Sequence, residues 1–329
     1  MTDTTLNESI RRTYLRFAEN EARGVSPTYE GFALAVTQSG DVQDMLATVP
    51  KIKRQPNLLF AAVRHLFGIA PSPAAFVKLV QNKADAVRTV MLSRRTQTNE
   101  PARCAVLLPV LSRLPQPLAL LEVGASAGLC LLPEHYGYQY NDGPQLGPRG
   151  IDVPVFTCQA NAATPIPTRL PQVTWRAGLD LNPIDVNNDA DIAWLETLIW
   201  PEQAARAQRF RAAVKLAKAN PPRLVQGDLL THLEQLAGSA PKDATLVIFH
   251  TAVLAYITDV ALREQYAQQV ATLNASCQKV VWVSNEAPFV FPSIAAKLAK
   301  PPPSGRFLLA VDGNPVAATG PHGHSVDWF

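Results

Sequence analysis

The residues with the clearest chemical potential stand around two glycines, in Leu120-Leu-Glu-Val-Gly124-Ala-Ser-Ala-Gly128-Leu129. An apolar run that ends in such a turn lets a ligand approach the backbone closely. A helix starting at Gly128 would add its own free N–H donors. Glu122 closes the run, and Ala125 and Ser126 lie inside the turn. A second apolar run ends in Arg176-Ala-Gly-Leu-Asp-Leu-Asn-Pro183, where Asp180, followed by Leu181, could accept hydrogen bonds from both hydroxyls of a ribose. Its separation from Glu122 is 58 residues (180 − 122), against about 20 in an uninterrupted dinucleotide-binding unit. Asp142 stands at the shorter spacing but in the turn-like Asn141-Asp-Gly143, and ranks second. A third run ends in Val225-Gln-Gly227-Asp228, whose acid could face the amino group of an adenine. For Asp180 and Asp228 the competing role is helix capping, and at Asp228 the two uses are compatible.

A fourth run, Leu246-Val-Ile-Phe-His250-Thr-Ala-Val-Leu-Ala-Tyr256, ends on a histidine at the edge where open α/β sheets bind ligands. An imidazole there could take a proton from a substrate hydroxyl or amine at neutral pH. Glu286, in Ser284-Asn-Glu-Ala-Pro288, adds a carboxylate to the same rim, and Tyr256 a phenol. An isolated histidine is more often structural, and Glu286 could equally serve a salt bridge or face solvent. The segment Gly124-Ala-Ser126-Ala-Gly128 also spells Gly-x-Ser-x-Gly, the turn that presents a nucleophilic serine in hydrolases. Asp228 or Asp259, then His322, would complete the chain order serine, acid, histidine. Against this, no strand is expected upstream of the loop, and no His-Gly-Gly segment precedes it.

Positioning these groups falls to two kinds of sequence. Helical spacing marks Leu6–Arg23, Tyr29–Thr37, Val42–Leu46, Asn57–Phe67 and Ser72–Leu92, with Gly and Pro between them. From Leu118 onward short apolar runs, Leu118–Val123, Val173–Leu179, Arg223–Gln226, Thr245–Phe249 and Val280–Ser284, alternate with longer helical segments, Ala190–Asn220, Leu229–Leu236 and Asp259–Ser276. Such alternation predicts a parallel sheet with crossovers on both faces. Arg306–Asp312 and Thr319–Trp328 read as a closing antiparallel pair around Gly313-Asn-Pro315. Between Leu131 and Gln172 the alternating Tyr136, Tyr138 and Tyr140, followed by prolines and glycines, predict an inserted hairpin and loop. The expected division is a helical cap over 1–112 and a sheet domain over 113–329.

The composition excludes several classes. Hydrophobic residues make up 47% and charged ones 17%, which suits a folded globular protein. A net charge of +3 with no dense basic stripe gives no reason to expect a nucleic-acid partner. Cys104, Cys130, Cys158 and Cys277 are scattered, which speaks against a zinc site or a disulfide framework. The polar start, Met1–Phe17, has no apolar core of a secretion signal, and no run reaches the ~20 apolar residues of a membrane span. A cytoplasmic protein with no membrane contact and no metal is the expectation.

Glu122 and Ser126 resemble the acid and the middle glycine of the methyltransferase pattern acid–x–Gly–x–Gly–x–Gly, with serine a departure at the second place. Arg95-Thr-Gln-Thr-Asn-Glu-Pro-Ala-Arg103-Cys, the glycine loop, Tyr138-Gln-Tyr140 and Arg176–Pro183 together resemble a bacterial family, domain of unknown function 2332. Trp194-Leu, Trp200-Pro-Glu-Gln, Gly227-Asp, Phe249–Tyr256 and Pro321-His-Gly323 continue the match. The resemblance implies an α/β fold of Rossmann-like, methyltransferase type, mostly parallel with an antiparallel C-terminal strand. It brings no reaction with it. It draws attention to Asn99 and Arg103, which could close over a cofactor, Arg103 pairing a carboxylate, or could simply cap a helix. Trp200-Pro201 could wall a pocket, though core packing is the default. Cys130 stands where the family usually has asparagine. The resulting expectation is S-adenosylmethionine held by Glu122, Gly124–Gly128, Asp180, Leu181, Gly227 and Asp228. His250, Glu286 and Tyr256 would then orient or deprotonate a small-molecule methyl acceptor. A serine hydrolase and a non-catalytic metabolite-binding protein remain the alternatives.

Overall fold

A computed structural model describes residues 4–97, 99–274 and 279–329, so Ser276 and Cys277 lie outside the described residues. The chain divides into two compact units, Met1–Thr98 with Asn188–Gln208, and Asn99–Asn187 with Arg209–Phe329. The helical unit is thus discontinuous, where the sequence suggested a continuous 1–112.

The first unit contains α1 (Thr4–Phe17), α2 (Pro27–Thr37), α3 (Gly40–Ala47), α4 (Pro56–Phe67), α5 (Pro73–Asn82) and α6 (Ala84–Ser93). Next, α7 (Cys104–Leu111) opens the second unit, and α8 (Asp189–Thr197) returns to the first. Ser-Pro pairs start two of these helices. The hydroxyls of Ser26 and Ser72 accept from the N–H groups of Tyr29 and Ala75 at 3.1 Å, while Pro27 and Pro73 need no N–H partner at the first helical position. The single helices expected over Leu6–Arg23 and Ser72–Leu92 both break, the first into a π turn at Ala18–Ala22, the second at Lys83. Aromatic rings fill the core of this unit: Phe32 and Phe76 stack at 4.4 Å between centroids, and Tyr29 lies 4.9 Å from Phe60. Trp200 joins that core and donates Nε1–H to Asn57 Oδ1 at 3.0 Å. Pro201 follows it, so the expected helix Ala190–Asn220 splits into α8 and α9 (Ala204–Ala219).

Among the described residues the second unit is built on ten strands: β1 (Leu118–Val123), β2 (Gly137–Tyr140), β3 (Val155–Ala160), β4 (Val173–Asp180), β5 (Arg223–Gln226), β6 (Thr245–Thr251), β7 (Val280–Glu286), β8 (Phe307–Val311), β9 (Asn314–Thr319) and β10 (Ser325–Trp328). They form one sheet in the order β2-β3-β10-β9-β8-β7-β6-β1-β4-β5. β5, β4, β1, β6 and β7 are mutually parallel. β8, β9 and β10 continue as an antiparallel meander, and β3 and β2 run parallel to β10. This is a mixed α/β fold with a mostly parallel sheet and twelve α-helices among the described residues. The continuous apolar runs of β1, β6 and β7 are buried at every residue, as strands covered on both faces must be. One face carries Leu121, Val123, Leu246, Ile248 and Trp282 against α10 (Leu229–Gly238), α11 (Val260–Asn274) and α12 (Pro292–Ala295).

Two expectations are corrected at the far edge. The segment after the glycine loop is no hairpin, because β2 and β3 pair in parallel and attach to β10. Its tyrosines anchor it: the Tyr136, Tyr138 and Tyr140 hydroxyls donate to the carbonyls of Leu129, Pro133 and Ala105 at 2.7, 2.7 and 2.6 Å. The C-terminus forms three strands rather than two, since Gly320–His324 separates β9 from β10.

Candidate functional site

Strand order reverses beside β1: the chain runs from β1 to β4 and β5 on one side, then returns to β6 and β7 on the other. At the carboxyl end of β1 the loop Gly124–Gly128 holds left-handed backbone at Gly124 (φ 73°), Ser126 (φ 50°) and Gly128 (φ 68°). A side chain at Gly124 would meet Val253 Cγ2 at 2.2 Å, so only glycine fits beneath that residue. The helix expected to start at Gly128 is absent. A 3-10 turn, Leu129–Leu131, ends at Leu132, and Pro133 cannot supply the N–H that a continuing helix needs.

The loop's donors are used within the protein. Gly124 and Ala125 N–H donate to Leu179 O (2.8 and 3.3 Å), Ser126 N–H to Asp180 Oδ2 (2.8 Å), Ala127 N–H to Asn99 Oδ1 (2.8 Å) and Gly128 N–H to Ala125 O (2.7 Å). Asn99 also donates from Nδ2 to Ser126 Oγ at 2.9 Å, so it brackets the loop. Asp180 accepts from Asn182 N–H on Oδ1 at 2.7 Å and stays only partly buried. Asp142 follows β2, at the other end of the sheet from β4, which leaves Asp180 as the acid beside the loop.

Behind the loop lies a buried polar floor. Arg103 donates from Nε to Pro321 O (2.9 Å) and from Nη1 to Thr251 O and Oγ1 (3.0 and 3.3 Å). Those bonds tie the start of α7, the end of β6 and the Gly320–His324 loop together. Glu122 is 4% exposed, and its Oε2 has no partner among the described residues. Burial pushes its carboxyl well above the usual carboxylate range, the Cys130 thiol adds to that, the Arg103 guanidinium opposes it, and Asp180 adds further. The native state therefore holds a proton that the unfolded chain releases once the pH exceeds ordinary carboxylate values. Stability contributed by that proton falls as pH rises toward the raised value. Glu122→Gln is expected to gain on the parent chain as pH rises from about 5 to about 8. Urea denaturation across that range checks it; a pH-independent difference between the two proteins would refute the assignment.

His250 is fully buried, and both of its nitrogens are engaged. Trp282 Nε1–H donates to Nε2 at 3.0 Å, and an indole can only donate, so Nε2 accepts and the ring proton sits on Nδ1. Nδ1–H donates to Glu286 Oε1 at 2.8 Å, and the same oxygen accepts from Val253 and Leu254 N–H at 2.9 and 3.1 Å. His250 and Glu286 thus meet each other inside the sheet face under α11 and α12, not on an open rim. Of the remaining expected residues, Tyr256 (66% exposed) and Leu181 (59%) stand open at the carboxyl edge. Gly227 packs on the His232 ring, and Asp228 caps α10 by accepting from Leu230 N–H at 2.8 Å. Asp259 caps α11 in the same way, through Ala261 N–H at 2.8 Å. Thr251 and Trp282 were missed by sequence reasoning. Alternation carries their signal, since Thr251 shares the face of Phe249, and Trp282 that of Ser284 and Glu286.

The arrangement defines an α/β protein with a glycine loop, an adjoining acid and a buried polar floor at the carboxyl edge of its sheet. Residues 11–328 match the model of the family described as "Uncharacterized protein conserved in bacteria (DUF2332)", and the chain belongs to that family. No curated protein and no solved structure matches it. Among the described residues, no three His, Cys, Asp or Glu side chains gather as a metal would require, and no helix is long and apolar enough to cross a membrane.

Proposed function

We propose that this protein binds S-adenosylmethionine at the carboxyl edge of its sheet and transfers the methyl group to a small molecule. The observation that carries the reading is the coincidence of the Gly124–Gly128 loop and Asp180 at the reversal of strand order. In chain order the five parallel strands lie 3-2-1-4-5, as in doubly wound Rossmann-like sheets, which bind nucleotides at that point. The closing meander, with β8 antiparallel beside β7, agrees with the methyltransferase type in being antiparallel.

The residues present fit such a ligand in part. Asp180, partly open, would accept from ribose hydroxyls, and Glu122 Oε2, without a partner among the described residues, offers a buried polar atom behind the loop. The loop N–H groups are satisfied internally, so recognition falls to side chains and carbonyls rather than to an anion nest. When bound, the cofactor would supply a methyl group already activated on its sulfonium. The chain's contribution is then positioning. His250 and Glu286 would hold the Val253 segment against Gly124, and Tyr256 would meet the acceptor. Free thiols at Cys104 and Cys130 suit a cytoplasmic setting.

Titration calorimetry tests the reading. S-adenosylmethionine and S-adenosylhomocysteine should both bind the parent chain, and Asp180→Ala should weaken both by roughly tenfold or more, about 1.4 kcal/mol. Silence from the parent chain would sink the proposal. Binding without turnover on any acceptor panel would favour a metabolite sensor. A second reading, a serine hydrolase, draws support from the left-handed backbone at Ser126. Labelling by a fluorophosphonate that disappears in Ser126→Ala would favour it instead.

A further inference from the structure

Cys104 heads α7, and Cys130 sits in the 3-10 turn directly behind the glycine loop. Cys104 Sγ–H donates to Cys130 O at 3.5 Å, and Cys130 Sγ–H donates to Glu100 O at 3.4 Å. Both residues are buried, and they meet across 26 positions of sequence. The third described thiol, Cys158, lies against the carbonyl of its neighbour Gln159 at 3.7 Å.

We propose that Cys104 and Cys130 are a dithiol that hydrogen peroxide closes to an intramolecular disulfide, fastening the turn behind Gly128 to the head of α7. The step balances with the peroxide as sole oxidant. One sulfur attacks the O–O bond, which breaks as an S–O bond forms, and the first water leaves with the thiol proton. The second sulfur then displaces the hydroxyl as water, so that the S–O bond breaks and the S–S bond forms. Two electrons and two protons pass from the thiols to the peroxide. The contact with Cys104, and then burial, raise the Cys130 thiol well above its usual range, which keeps the closed protein slow to react. Local opening of the loop is therefore the step that admits the oxidant. Closure would remove the S–H groups from the carbonyls of Cys130 and Glu100, and it would change the group beside Glu122. The inference stands whatever ligand the loop takes.

The test uses the full chain, treated with hydrogen peroxide, alkylated under denaturing conditions without reductant, digested and weighed. The Cys104 and Cys130 peptides should appear joined, lighter by about 2 Da than their sum, and should separate with dithiothreitol. Cys104→Ala should lose that species and carry Cys130 as an oxyacid instead. Linkage of either residue to Cys158 or Cys277, or full alkylation of both after peroxide treatment, overturns the proposal. Because the parent chain carries the decisive measurement, a variant that folds poorly leaves the test intact.

Discussion

Gly323→Ala is expected to destabilise the sheet unit by about 3 to 5 kcal/mol, with a melting midpoint lower by roughly 6 to 20 °C. A Cβ there would stand 2.0 Å from Ala102 O and 2.3 Å from Ala102 C, and neither is a side-chain tip that can swing aside. The backbone is also left-handed at Gly323 (φ 79°), which adds the ordinary penalty of about 1 to 2 kcal/mol for a residue with a Cβ. Gly305→Ala separates the two terms. It has the same φ of 79° and nothing within 4 Å of the added carbon, so it should show the backbone penalty alone. Equal losses in the two variants would mean that the 320–324 loop yields freely. The contact matters beyond stability, because Arg103 donates to Pro321 O in that loop, so moving the loop disturbs the floor behind the glycine turn.

The second large effect is expected at Glu286. Alanine there would strand the His250 Nδ1–H and the N–H groups of Val253 and Leu254, all of which meet one carboxylate oxygen. Each buried orphan donor costs about 1 to 3 kcal/mol, so a total of roughly 3 to 5 kcal/mol is expected after relaxation. Glu286→Gln keeps an oxygen in place and should cost about 1 kcal/mol. Chemical denaturation of the three proteins settles it, and the order matters more than the values. An alanine variant as stable as the glutamine one would show that the hydrogen bonds to Oε1 do not hold the segment.

The central strands were legible because each is a continuous apolar run between turns, a pattern that burial on both faces imposes. The glycine loop and Asp180 were legible together for the same reason: strand ends are marked by where the apolar run stops. The direction of side chains was also present in the sequence, yet it was misread. His250 lies two and four residues beyond Ile248 and Leu246, so alternation places it on their face, inside the helical layer, and Glu286 follows Trp282 likewise. Standing at the end of a strand suggested an open rim, but parity sends both side chains inward. The missing helix after Gly128 had a local cause in Pro133. The placement of β2 and β3 had none, because their partner is the far end of the chain and nothing near Tyr136–Tyr140 encodes it. The division into units failed at 188–208 for the same kind of reason, since Trp200 packs into an aromatic core specified mainly by the first eighty residues.

That far-edge pairing has a consequence for how the protein is made. Asn161, just past β3, bonds both the carbonyl and the N–H of Trp328, 167 positions later. A ribosome adding about 5 to 20 residues per second needs roughly 8 to 33 s to cover that distance. Throughout that interval β2 and β3 exist without the strand that joins them to the sheet, exposing an unpaired edge. The three buried tyrosine hydroxyls, each bonded to a carbonyl encoded earlier in the chain, are contacts that can hold the pair in place during the wait. The sheet is closed by residues 325–328, and that edge stays unpaired until they have been made.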